Sequence, residues 1–205
     1  SLLFAAACAA VLSGCASDST LEEALRADAA AADAYGAAGV TPYEAALANE
    51  KRPIEDIERD PLRHPAEMLA FAQVQAGDRI ADIRPGAGYF TRLFAEVAGP
   101  GGRVYAFVPN RTAARENAPA DALAAAYPNV VRVNGDLDAM RFEQPLDLVF
   151  MSQEYHDFHI PGFGVDVARM NRAVFDALKP GGLFVVIDHA GAAGTGTSQV
   201  QSLHR

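Results

Sequence analysis

The sequence predicts an α/β domain with a doubly wound, mainly parallel sheet, and three observations predict it. Five short runs rich in Val, Ile, Leu or Phe follow one another between residues 79 and 188, stretches of helical length separate them, and a glycine turn follows the first. Strands covered on both faces read as continuous apolar runs, and strands alternating with helices build a parallel sheet. The runs are Arg79–Ile83, Arg103–Val108, Val130–Val133, Leu146–Met151 and Leu183–Asp188, with helices expected near Tyr89–Ala98, Arg111–Tyr127 and Val165–Leu178. Upstream, the segment from Arg63 to Phe71 starts a helix with Pro65 in its first turn and Met68, Leu69, Phe71 and Ala72 at helical spacing. Gln75-Ala76-Gly77-Asp78 ends that helix.

With 205 residues, half of them hydrophobic, the chain can form one globular domain with extensions. It carries 17 Lys and Arg against 26 Asp and Glu. The resulting net charge of -9 repels polyanions and gives no footprint for nucleic acid, so a small molecule or a protein is the expected partner. Both cysteines, Cys8 and Cys15, fall in the first fifteen residues, which leaves the folded part without a disulfide framework or a thiolate metal site. There is no internal repeat.

Ser1 to Leu12 is apolar and small, about the length of a signal-peptide core and short of the ~20 residues of a spanning helix. It closes in Leu12-Ser13-Gly14-Cys15, which resembles the lipobox of bacterial lipoproteins. The resemblance makes residues 1–15 a signal segment and Cys15 the site of lipid attachment. It implies a domain anchored at the bacterial cell envelope and facing the periplasm. A buried Ala-rich helix with an incidental cysteine is the alternative. Residues 16–52, Ala-rich and acidic, read as a tether, and 53–205 as the α/β domain. No initiator Met precedes Ser1 and the chain stops soon after the fifth run, so a fragment lacking C-terminal strands is expected.

The stretch Asp82-Ile83-Arg84-Pro85-Gly86-Ala87-Gly88-Tyr89 takes a strand through glycines directly into a helix. Such a turn lets a ligand approach backbone without Cβ atoms at the positive end of a helix. It resembles the first motif of class I S-adenosylmethionine-dependent methyltransferases, a Rossmann-like fold. Asp82, Gly86 and Gly88 match that motif, and the resemblance implies that they hold the methionine part of S-adenosylmethionine. Arg84 stands where most of that superfamily has a glycine. Exported methyltransferase-like proteins share a bulky residue there, and the resemblance to them extends to Tyr155-His156-Asp157, Leu178-Lys179-Pro180-Gly181-Gly182 and His204-Arg205. A tight turn needing positive φ is the other reading of the glycines. A nicotinamide-dependent oxidoreductase is disfavoured, because Thr91 stands where its third glycine belongs.

The second strand ends in Val108-Pro109-Asn110 without the carboxylate that commonly binds ribose, and Asn110 is the available substitute. Asp136, after the third strand, fits either the adenine amino group or a helix cap. After the fourth strand, His156 is the expected base for proton removal from a small-molecule acceptor, with Tyr155 and Asp157 orienting it; a capped polar loop is the alternative. Asp188-His189 ends the fifth run on the same side. No metal is expected, because His156, Asp157, His159 and His189 lack helical spacing and a thiolate partner. The resemblance leaves open a non-catalytic envelope protein that keeps the scaffold as a binding module. The acceptor and the oligomeric state are not readable.

Overall fold

Sheet formation follows from the apolar runs. In the computed structural model, which describes residues 41–194, 197 and 200–203, they form five parallel strands in the order β3-β2-β1-β4-β5. The elements are α1 (Pro42–Leu47), α2 (Ile54–Ile57), α3 (Asp60–Arg63), α4 (Pro65–Phe71), β1 (Arg79–Ile83), α5 (Tyr89–Ala98), β2 (Arg103–Pro109), α6 (Ala113–Ala126), β3 (Val130–Gly135), β4 (Leu146–Ser152), α7 (Val167–Ala177), β5 (Leu178–Ile187) and α8 (Val200–Leu203). The signal segment, Cys15, most of the tether, His204 and Arg205 lie outside the described residues.

The sheet is buried on both faces. On one, Phe90, Leu93 and Phe94 of α5 and Leu123 of α6 pack against Ile80, Val104, Ala106, Val108 and Phe150. On the other, Leu137, Phe158, Met170 and Val174 cover Ala81, Ile83, Phe107, Val149 and Met151. Phe94, Phe107 and Phe150 are wholly buried, and each such side chain contributes roughly 1.5–3 kcal/mol relative to exposure. Helix α5 starts at Gly88 in the left-handed region, φ 88°, and stops at Gly99, φ 63°. Its apolar residues form one stripe facing the strands.

The chain leaves β1 toward β2 and β3, then returns to β4 on the other side of β1. The carboxyl ends of β1 and β4 therefore flank the point where strand order reverses, where open α/β sheets form a crevice.

Three boundaries differ from the sequence reading. Pro42–Leu47, assigned to the tether, is a helix whose Ala46 is buried in the core, and the Tyr43 hydroxyl donates to the Val74 carbonyl at 3.1 Å. The compact unit thus starts at Pro42 rather than residue 53. Helix α4 ends at Phe71, before the Gln75–Asp78 stop signal, and Gln73 takes φ 54°. Strand β5 begins at Leu178 instead of Leu183. Leu178 pairs with Leu146, the register shifts, and Leu183 pairs with Leu148, so Lys179-Pro180-Gly181-Gly182 bulges within the strand. Lys179 there pairs with Asp147 of β4.

Candidate active site at the switch point of the sheet

A cavity of about 400 Å³ opens at the carboxyl ends of β1 and β4, within the range of small-molecule sites. Its walls include Asp82, Gly86 and Ala87 after β1, Glu154, His156 and Asp157 after β4, His189 after β5, and Arg59 and Arg63 from the N-terminal helices. Asp82, the penultimate residue of β1, lies on the face packed by α5, where it accepts from the Thr91 hydroxyl at 2.6 Å. Burial pushes its carboxyl up to about 7, and the Thr91 hydrogen bond only partly opposes the shift.

The two glycines of the turn serve different ends. Gly86, φ 57°, has nothing within 4 Å of where a Cβ would stand, so its backbone faces open space. Gly88, φ 88°, backs onto Leu123 of α6, which a Cβ would strike. Gly86 is the residue that leaves room for a ligand, whereas Gly88 lets two helices pack.

Arg84, between them and β1, also adopts positive φ, 55°, which costs a residue with a Cβ roughly 1–2 kcal/mol. Its guanidinium is held by Glu154 from one side and by Glu116 of α6 from the other, the latter at 3.1 Å. Glu116 also accepts from Thr112 and Arg115, each at 2.8 Å. Burial raises the Glu116 carboxyl, but the hydrogen bonds from Arg115, Arg84 and Thr112 outweigh it and hold it below its ordinary value. Glu154 goes the other way, raised by burial and by Asp157 and Glu116 against the opposing pull of Arg84.

Arg84, Glu154 and Asp157 line both this cavity and a second, of about 360 Å³. The second shares Pro109, Arg111, Leu137 and Phe163 with a third, of about 400 Å³, that contains Asn110 and Asp136. The three lie in a row along the carboxyl edge of the sheet. At its far end the Asn110 amide donates to Asp136 at 3.0 Å, so the two side chains expected to meet adenosine meet each other.

Asp188, from the end of β5, grips His156 twice. One carboxylate oxygen accepts the backbone N–H at 2.9 Å and the other lies 2.8 Å from Nδ1. Asp157 stands 3.3 Å from Nε2. When Nδ1 carries its proton toward Asp188, Nε2 is the nitrogen that can accept one. Tyr155 is absent from the cavity wall: its hydroxyl accepts from Asn171 at 2.8 Å, and its ring lies 5.3 Å from that of His159. The switch point therefore gathers Asp82, Gly86, His156 and Asp157 from the sequence reading. It leaves Tyr155 turned away and Asn110 with Asp136 at the far end. Asp188 now holds the imidazole, and Arg59, Arg63, Glu116 and Glu154 join the site without a motif to announce them. Among the described residues no three His, Cys, Asp or Glu side chains stand where one metal ion could bind, and no helix is long and apolar enough to cross a membrane.

A similar arrangement of strands and helices occurs in a SAM-dependent methyltransferase from Aquifex aeolicus, at 18% identity and a TM-score of 0.52, over 74% of this chain and 81% of that one. The chain has the fold of a class I S-adenosylmethionine-dependent methyltransferase. A SAM-dependent O-methyltransferase from Thermotoga maritima is also similar, at 21% identity and a TM-score of 0.48, over 67% of this chain and 46% of that one. No protein-family model and no curated protein matches the sequence. In the methyltransferase fold seen here, the end of β2 has no carboxylate. The nearest acid on the following helix, Glu116, is engaged by Arg84, Arg115 and Thr112.

Proposed function

We propose that the chain is an S-adenosylmethionine-dependent methyltransferase acting on a small-molecule acceptor bound at the β1/β4 crevice. The observation that carries this reading is the meeting, at one switch point, of a glycine turn open at Gly86 with an imidazole held by a carboxylate. On this reading the turn from Asp82 to Gly88 holds the methionine end of the cofactor, and Asn110 and Asp136 hold the adenosine end. When bound, S-adenosylmethionine supplies a methyl group already activated by its sulfonium. The protein's own task is then to orient the acceptor and take its proton. With Nδ1–H donated to Asp188, His156 takes that proton at Nε2 as the acceptor's heteroatom takes the methyl group. Asp157, 3.3 Å away, stabilises the resulting imidazolium. The resemblance of Leu12–Cys15 to a lipobox supports a further proposal, a protein lipid-anchored through Cys15 and facing the periplasm. The net charge of -9 supports an acceptor other than nucleic acid.

A second reading, a non-catalytic module that keeps the fold for binding, is favoured by Arg84. Its ion pairs with Glu154 and Glu116 stand between the switch-point cavity and the adenosine end. Calorimetric titration with S-adenosylmethionine and S-adenosylhomocysteine separates the two. The enzyme reading expects binding that is lost in Gly86→Leu and Asp82→Ala and that strengthens in Arg84→Gly, which removes both the obstructing side chain and its backbone strain. No binding at millimolar ligand, in the wild type and in Arg84→Gly alike, leaves the binding module.

A further inference from the structure

We infer that Arg59 and Arg63 form a binding site for an oxyanion, a carboxylate or phosphate group carried by the acceptor. Both guanidiniums line the switch-point cavity, and both lie over the ring of Tyr89, at 5.3 and 4.9 Å from its centroid. Their placement is fixed by the residue between them in sequence. Asp60 takes two hydrogen bonds from the buried Arg52, at 2.9 and 2.6 Å, and a third from the Tyr89 hydroxyl at 2.6 Å. This clamp ties the segment carrying both arginines to the first turn of α5.

Neighbouring carboxylates are already committed to other partners. Asp60 belongs to Arg52 and Tyr89, Asp56 to Arg92 at 2.7 Å, Glu154 to Arg84, and Asp157 to His156. Among the described residues neither Arg59 nor Arg63 makes an ion pair, and the polar contact of the Arg63 side chain is to the Gln153 amide oxygen at 2.9 Å. Burial, and then repulsion from Arg59, pull the Arg63 guanidinium below its ordinary value. Two like charges at a cavity wall, one of them partly desolvated, are what an oxyanion relieves, through charge-assisted hydrogen bonds that suit the guanidinium fork.

Assignment of the anion to the acceptor rests on the methyl-transfer reading, and the test separates the two. The full chain, with and without S-adenosylhomocysteine, is titrated calorimetrically with benzoate, with inorganic phosphate, and with benzamide as the neutral control. The expected result is binding of benzoate, phosphate or both, none of benzamide, and a weakening of about tenfold or more in Arg59→Ala and in Arg63→Ala, with Arg63→Lys intermediate. Preference for benzoate identifies a carboxylate, and preference for phosphate identifies a phosphate. Absence of anion binding in the wild type, or equal binding in the variants, overturns the site. If the variants instead lose S-adenosylhomocysteine, the arginines serve the cofactor and the acceptor assignment falls. Anion binding through the arginines in a protein that never binds S-adenosylhomocysteine sinks the methyl-transfer reading and leaves the site standing. Arg59 is exposed, so Arg59→Ala keeps the test decisive should Arg63→Ala fail to fold.

Discussion

The two ends of the cleft are built differently. At the switch point, side chains from β1, β4, β5 and the N-terminal helices converge, and His156 and Asp82 each have a fixed partner, Asp188 and Thr91. At the far end, Asn110 donates to Asp136, and no carboxylate closes β2. On the proposed reading, the more constrained chemistry sits where an acceptor would react, while the far end of the cofactor would meet two exposed side chains joined by one hydrogen bond.

The sharpest test of that contrast is at the constrained end. His156→Gln is expected to lower the methyl-transfer rate by about 10²–10⁴, and Asp188→Asn to lower it less, through loss of ring orientation. Single-turnover rates on the two variants check this, and an unchanged rate in His156→Gln removes the base from the mechanism. The turn between the ends offers the next comparison. Gly88→Ala drives a Cβ into Leu123 at a positive φ and should destabilise the fold by about 2–3 kcal/mol. Gly86→Ala, with open space around it, should cost only about 1 kcal/mol. Chemical denaturation of both variants checks the ranking, and equal losses would mean that Leu123 yields. Asp82 offers the last comparison, in pH rather than in packing. Its folded value lies above that of a free carboxyl, so its contribution to stability is full at acid pH and fades as pH rises through about 7. Asp82→Asn should therefore flatten the pH profile of unfolding between about 4 and 7, by at most about 4 kcal/mol across that window. An unaltered profile would show that the carboxyl is ionised when folded.

Local patterns carried much of this architecture. β1 and α5 occupy the predicted residues 79–83 and 89–98, because buried parallel strands announce themselves as apolar runs and α5 is bracketed by glycines at its two ends. Composition misled at α1, where an Ala-rich stretch resembling a tether is buried through Ala46 and anchored by Tyr43 to a carbonyl 31 residues away. Lys179-Pro180-Gly181-Gly182 reads as a turn, and only the pairing of Leu178 with Leu146 reveals it as a bulge. In the site, motif positions brought Asp82, Gly86 and His156 to one place. What remained illegible was pairing at a distance: Arg84 reaches Glu116 and Glu154 across 32 and 70 residues, and Asp188 reaches His156 across 32. Side-chain direction in the turn after β4, which sends Tyr155 toward Asn171, is likewise set by packing.

The Asp60 clamp has a consequence for the order in which the chain can acquire structure. Arg52, Asp56 and Asp60 emerge from synthesis before Tyr89 and Arg92, their partners 29 and 36 residues downstream. His156 is gripped only after Asp188 arrives, just past β5. The N-terminal wall of the cavity waits for the first β-α unit, and the imidazole waits for β5. A nascent or proteolytically shortened chain ending before Asp188 would keep Gly86 and Gly88 but lack the group that orients His156. On the proposed reading, ligand binding and proton transfer would thus be gained in separate steps, the second tied to β5.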